Sequence, residues 1–93
     1  MTQKASLTAI VTGLVQGVNF RDFIRQKASG LHLGGFIRNL PDGSVEVLAE
    51  GEKPGLDMLL QYIKQGPPRA NVKHVSVSWG QVQGTESDFN IRY

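Results

Sequence analysis

The chain has 93 residues, which is enough for one small domain and too few for two. With 40% hydrophobic and 19% charged residues, it is typical of a globular domain and not of a disordered chain. It contains no cysteine, which excludes disulfides, thiolate nucleophiles and thiolate metal sites. The net charge is +2. The basic residues are spread along the chain and do not form the basic run that would indicate a nucleic-acid-binding surface. We therefore expect a single domain over residues 1–93.

The N-terminal sequence MTQKASLTAI lacks the apolar run of a signal peptide, and no segment approaches membrane-spanning length. A chain without cysteine is compatible with a reducing compartment. We predict a cytoplasmic, monomeric protein that has no membrane partner.

The first elements are a strand and a helix. Alternating polarity over residues 6–13 predicts a strand, whose apolar face carries Leu7, Ala9 and Val11. A spacing of three and four residues then predicts an amphipathic helix that closes near Gly30. The residues that set this spacing are Phe20, Phe23, Ile24, Ala28 and Leu31.

The remaining predicted elements are two strands, a second helix and two further strands. GFIRN and SVEVLAEG predict two strands, joined by a turn at Pro41-Asp42-Gly43. Pro54 begins a second helix, which Gly66 and the two prolines after it end. Two further strands are predicted near residues 72–79 and 89–93. The order βαββαβ, with an additional edge strand, predicts a ferredoxin-like α+β sandwich: an antiparallel sheet with two helices on one face.

The loop between the first strand and the first helix carries the most specific signal. Residues 13–23 read GLVQGVNFRDF, so a glycine-containing turn leads into a helix with Arg21 in its first turn. Helix N-termini favour acidic residues, because that end of the helix is partly positive. Either Arg21 is an incidental surface charge offset by Asp22, or it binds an anion together with backbone N–H groups of the loop. The pattern is neither a P-loop nor a dinucleotide fingerprint.

The same residues resemble the first signature of the acylphosphatase family, in which a glycine, V-Q-G-V, one variable residue and F-R follow one another. GFIRN at residues 35–39, followed by Gly43, Val45 and Gly51, resembles the second signature. The resemblance extends over the whole chain, and members of the family are small ferredoxin-like domains. Asn19 stands at the variable position, and Ile37 is bulkier than the small residue often found at its position.

The resemblance implies a reaction and a set of residues. Acylphosphatases hydrolyse small-molecule acyl phosphates to a carboxylate and inorganic phosphate, without a cofactor or a metal. The catalytic arginine of the family corresponds to Arg21, which would hold the phosphoryl group, and its catalytic asparagine to Asn39, which would orient the attacking water. The phosphate-binding backbone would be that of Val15, Gln16, Gly17, Val18 and Asn19.

Other functions have weaker support from the sequence. His32 and His74 are far apart in the chain and lack companion ligands, so we expect no metal site. RNA-recognition domains share this sandwich but place aromatic residues on the central strands, whereas the candidate central strands contain none, so we expect no nucleic-acid partner. A non-catalytic domain that binds acyl phosphate or another anion is the main alternative.

We further expect Met58, Tyr62 and Trp79 to pack in the core or at its edge.

Overall fold

The computed structural model describes residues 3–84 and 87–93, and in these residues it has two helices and five strands. The elements are β1 (Lys4–Leu14), α1 (Phe20–Gly30), β2 (Gly34–Asn39), β3 (Val45–Glu52), α2 (Lys53–Gln65), β4 (Asn71–Gly80) and β5 (Phe89–Arg92). Every predicted element is present. Neither helix in this part of the chain is long and apolar enough to cross a membrane.

The strands form one sheet in the order β4-β1-β3-β2-β5. The first four strands in this order are antiparallel neighbours, which confirms the predicted sandwich. The additional strand β5 lies at the edge and pairs in parallel with β2, with Ile37 opposite Ile91. The fold is therefore a ferredoxin-like α+β sandwich extended by one parallel edge strand.

The core lies between one face of the sheet and the two helices. Cross-strand partners share a face, and the register places Leu7 opposite Ala49 and Ala9 opposite Val47. The fully buried strand residues on this face are Leu7, Ala9, Val11, Ile37, Val45, Val47 and Ala49. The buried helix residues in the same cluster are Phe20, Ile24, Ala28, Leu56, Leu59 and Ile63. Burial of each large apolar side chain contributes about 1.5–3 kcal/mol.

The expected burial of Met58 and Trp79 is wrong. Met58 is 51% exposed, because its position between Leu56 and Leu59 turns it to the outer side of α2. Trp79 is 43% exposed on the edge strand β4, where the Lys53 Nζ lies 4.3 Å from the centre of its ring. Tyr62 is half-buried and meets Phe23 edge-on at 6.2 Å, as expected for a residue at the edge of the core.

A bulge at the end of β1 directs the chain into the loop before α1. The register between β1 and β4 shifts between Thr12 and Gly13. Gly13 has a φ of 120°, and a Cβ atom there would lie 2.1 Å from the backbone oxygen of Asn71. Bulges change the direction of a strand and often lie beside functional sites. Glycine at this position therefore allows β4 to approach closely while β1 turns into the loop.

Candidate active site

The loop between β1 and α1 is anchored by two valines. Val15 and Val18 are buried in the core, whereas Gly17 and Asn19 are exposed. Gly17 and Asn19 have positive φ angles of 73° and 68°, and the intervening Val18 does not. Alternation of this kind brings successive backbone N–H groups to the same concave side, an arrangement that binds anions. The anchored valines hold that conformation in place.

The N-terminus of α1 adds further donors. Asn19 occupies the N-cap position but makes no side-chain capping hydrogen bond. The first N–H groups of a helix have no partner within the helix, and that end carries a partial positive charge. The backbone around residues 19–22 is therefore suited to a negatively charged ligand, in continuity with the loop.

A cavity of about 260 Å³ lies against this loop. It is bounded by Val15, Gly17, Asn19, Phe20, Arg21, Asp22, Asn39, Ile91 and Tyr93. Asn39 is the last residue of β2 and lies opposite Val45, so it is on the helix-covered side of the sheet. The structure therefore brings Arg21 and Asn39, which are 18 positions apart in the sequence, to the walls of one cavity.

Asp22 does not neutralise Arg21. The Asp22 carboxylate accepts a hydrogen bond of 2.6 Å from Arg25 Nη2 and one of 2.9 Å from Gln26 Nε2. Within residues 3–84 and 87–93, the Arg21 side chain has no ion pair or hydrogen bond, and its guanidinium carbon lies 4.9 Å from the centre of the Tyr93 ring. Of the two interpretations of Arg21, the surface charge offset by Asp22 is not supported.

The side-chain amide of Asn39 is also incompletely paired. Its Oδ1 atom is buried and has no hydrogen-bond partner among the described residues. Buried polar atoms almost always have a partner, and an exception calls for an explanation such as a bound molecule. A hydrogen-bond donor in the cavity would satisfy this atom.

Two of the predicted loop residues do not line the cavity with their side chains. Val18 packs in the core. Gln16 Nε2 instead donates to the backbone oxygens of Leu40 and Ser44, at 2.8 and 2.9 Å. Ile91 and Tyr93 also line the cavity, because β5 pairs with β2, and they were not predicted from the sequence. No short motif marks these two residues, so only the sheet topology could have indicated them.

A larger cavity, of about 510 Å³, lies at the opposite end of the sheet, where it borders Glu50 and Gly34. Glu50 accepts hydrogen bonds from the backbone N–H groups of Gln83 and Gly84, so its carboxylate holds the chain after β4. We place the candidate site at the smaller cavity, because the converging donors and the unpaired amide oxygen of Asn39 are found there.

In the part of the chain that the structure describes, no group of three or more His, Asp or Glu side chains is arranged to hold a metal ion.

Together these features define a ferredoxin-like α+β domain with a loop-bounded cavity that contains an arginine and an asparagine. The acylphosphatase family model matches residues 7–91. An acylphosphatase from Thermus thermophilus is 51% identical to this chain over 78 residues, which cover 84% of this chain and 89% of that protein. The chain therefore belongs to the acylphosphatase family of enzymes.

Solved structures share the fold closely. The crystal structure of the acylphosphatase from Bacillus subtilis has a TM-score of 0.92 at 36% identity, covering 96% of this chain and 99% of that one. Full-length HypF, crystallised in a phosphate- and nucleotide-bound form, has a TM-score of 0.86 at 25% identity. That match covers all of this chain but 12% of HypF, so the fold also occurs as one part of a larger protein.

Proposed function

We propose that this enzyme hydrolyses the carboxyl–phosphate bond of small acyl phosphates, giving a carboxylate and inorganic phosphate. One observation carries the proposal. Arg21, which has no carboxylate partner in the described chain, and Asn39, whose Oδ1 is buried and unpaired, border the same cavity. The first suits an anion, and the second suits a hydrogen-bond donor such as water.

The phosphoryl group would be bound by the backbone of the loop and by Arg21. The N–H groups of residues 15–19 would donate to its oxygens, in keeping with the alternating φ angles at Gly17 and Asn19. The guanidinium of Arg21 would donate to two oxygens at once, because its planar fork matches their spacing. These groups would also stabilise the charge that develops in the transition state.

Asn39 would position the attacking water. Its Oδ1 accepts a hydrogen bond from water, whose oxygen then forms a bond to phosphorus as the bond from phosphorus to the acyl oxygen breaks. The bonding pair leaves with the carboxylate, and the water proton passes to a phosphate oxygen, because a neutral amide is a poor base. Holding the water in line removes part of the entropic barrier.

The leaving group explains why so few residues would suffice. A carboxylate has a conjugate acid with a pKa of about 4, so it departs without a general acid. Phosphoryl transfer depends mainly on positioning and charge stabilisation. We therefore propose that the reaction needs neither a cofactor nor a metal ion, and that activity persists in excess chelator.

A non-catalytic anion-binding domain is the alternative, since the matching part of HypF lies within a much larger chain. Nucleic-acid binding has less support, because the central strands β1 and β3 contain no aromatic residue for base stacking. The presence of both Arg21 and Asn39 at the cavity favours hydrolysis. The monomeric state and the cytoplasmic location remain predictions.

The test is hydrolysis of benzoyl phosphate with chelator present, comparing the wild type with Arg21→Gln and Asn39→Ala. We expect each variant to lose at least about tenfold in activity, because one removes the fork that binds phosphate and the other removes the group that orients water. Arg69→Gln and Asn90→Ala are matched controls at exposed positions outside the cavity, and both should remain active.

The outcomes separate the two functions. An inactive wild type that binds inorganic phosphate would make the protein a binding domain. If Arg21→Gln kept full activity, the phosphoryl group would have to be bound by other groups. Loss of wild-type activity on addition of chelator, restored by a divalent metal, would overturn the metal-free mechanism.

A further inference from the structure

The side chain of Gln16 joins two parts of the molecule that border the cavity. Its Nε2 atom donates both of its hydrogens, one to the backbone oxygen of Leu40 and one to that of Ser44. Gln16 belongs to the loop between β1 and α1, whereas Leu40 and Ser44 belong to the turn between β2 and β3 (residues 40–44). Gly17, which follows Gln16, and Asn39, which precedes Leu40, both line the cavity.

The turn that receives these hydrogen bonds has its own internal bonds. The Leu40 N–H donates to the Ser44 oxygen at 2.8 Å, and the Gly43 N–H donates to the Leu40 oxygen at 3.1 Å. Asp42 accepts from the hydroxyl and the backbone N–H of Ser44, and these two hydrogen bonds hold the pKa of its carboxyl below the ordinary value. The turn is therefore shaped without Gln16, and the Gln16 amide adds a link between the turn and the loop.

The loop also has determinants of its own. Val15 and Val18 are buried in the core, and the backbone of Gly17 and Asn19 supplies the positive φ angles. Loss of the Gln16 amide would leave both the loop and the turn folded. It would remove the direct polar link between them.

We propose that Gln16 is a positioning residue that fixes Asn39 relative to the phosphoryl-binding loop. The proposal rests on the proposed function, in which the loop binds the phosphoryl group and Asn39 orients the water. In-line attack requires the water and the phosphorus atom to be aligned, and small displacements reduce the rate strongly. The link through Gln16 acts on the relative position of these two groups and not on either one alone.

The first experiment is steady-state kinetics on Gln16→Met, which keeps the length of the side chain and removes its donors. We expect kcat for benzoyl phosphate to fall at least fivefold, while the inhibition constant of inorganic phosphate changes less than twofold. The reason is that phosphate binding uses the loop, whereas the rate depends on where Asn39 holds the water. Gln61→Met on the exposed side of α2 is the matched control and should behave as the wild type.

A double-mutant cycle separates positioning from general stability. Residues that act as one unit give non-additive losses. If Gln16 acts through Asn39, adding Gln16→Met to Asn39→Ala should change kcat less than twofold further. Gln16→Lys keeps hydrogen-bond donors at this position and should recover most of the kcat that Gln16→Met loses. Assays below the unfolding temperature of each variant, checked by circular dichroism, ensure that folded protein is compared.

The possible failures can be told apart. Equal losses from Gln16→Met in the wild-type and Asn39→Ala backgrounds, or a rise in the phosphate inhibition constant that matches the fall in kcat, would overturn the positioning role and leave the proposed function intact. Full activity of Asn39→Ala would overturn the proposed role of Asn39, and the inference about Gln16 with it.

Discussion

The contacts around Arg21 leave its guanidinium available to an anion. The neighbouring carboxylate is occupied by Arg25 and Gln26, and the Tyr93 ring lies beside the guanidinium at a distance typical of cation–π contacts. This contact does not use the N–H donors of the guanidinium. Those donors therefore remain available to an anion in the cavity.

This arrangement predicts that charge alone is insufficient at position 21. Arg21→Lys keeps the positive charge but replaces the planar fork with a point charge that cannot bind two oxygens in the same way. We expect kcat/KM for benzoyl phosphate to fall about tenfold, which corresponds to about 1.4 kcal/mol of transition-state stabilisation. Arg25→Lys is the control. Retention of full activity by Arg21→Lys would show that the guanidinium geometry is not used.

At the scale of elements, the site depends on how β1 ends. The bulge between Thr12 and Gly13 lets β1 leave its pairing with β4 and enter the loop, and the backbone oxygen of Asn71 occupies the space where a side chain at Gly13 would begin. The loop therefore starts from a fixed point on the sheet.

We expect Gly13→Ala to lower the free energy of unfolding by about 1–3 kcal/mol, because alanine is strained at a φ of 120° and its Cβ would collide with β4. Urea denaturation measures this difference. Gly80→Ala is the matched control in the same pair of strands, since a Cβ there meets no atom within 4 Å. If the two variants were equally stable, the close approach of β4 at Gly13 would not constrain the bulge.

At the scale of the whole molecule, the sequence predicted the elements and the composition of the core well. The alternation of Leu7, Ala9 and Val11 in β1 and the spacing of three and four residues in α1 correspond to residues buried between the sheet and the helices. Trp79 was misjudged because hydrophobicity does not reveal that a strand lies at an edge. Ile91 and Tyr93 were missed as cavity residues because their position depends on the parallel pairing of β5 with β2, which no local pattern encodes.

Ligand binding should also be visible as stability of the whole domain. A ligand that binds only the folded state at 100 times its Kd stabilises it by about 2.7 kcal/mol. For a domain of this size, inorganic phosphate at that concentration should raise the Tm by more than about 10 °C. The measurement is the Tm in inorganic phosphate, compared with the Tm in sodium chloride at the same ionic strength. Arg69→Gln, at an exposed position outside the cavity, should keep the shift, and Arg21→Gln should lose most of it. An equal shift in both variants would mean that phosphate binds elsewhere.

The position of β5 has a consequence for synthesis of the protein. The cavity is bounded by a loop near residue 17 and by residues 91 and 93, which are translated after all the other residues that line it. Contacts between such distant parts of a chain form slowly, because a long segment must be closed before they give any stabilisation. A nascent chain that still has β5 in the exit tunnel would contain the loop, Arg21 and Asn39, yet would lack one wall of the cavity. The complete site would therefore form only after β5 has emerged and paired with β2.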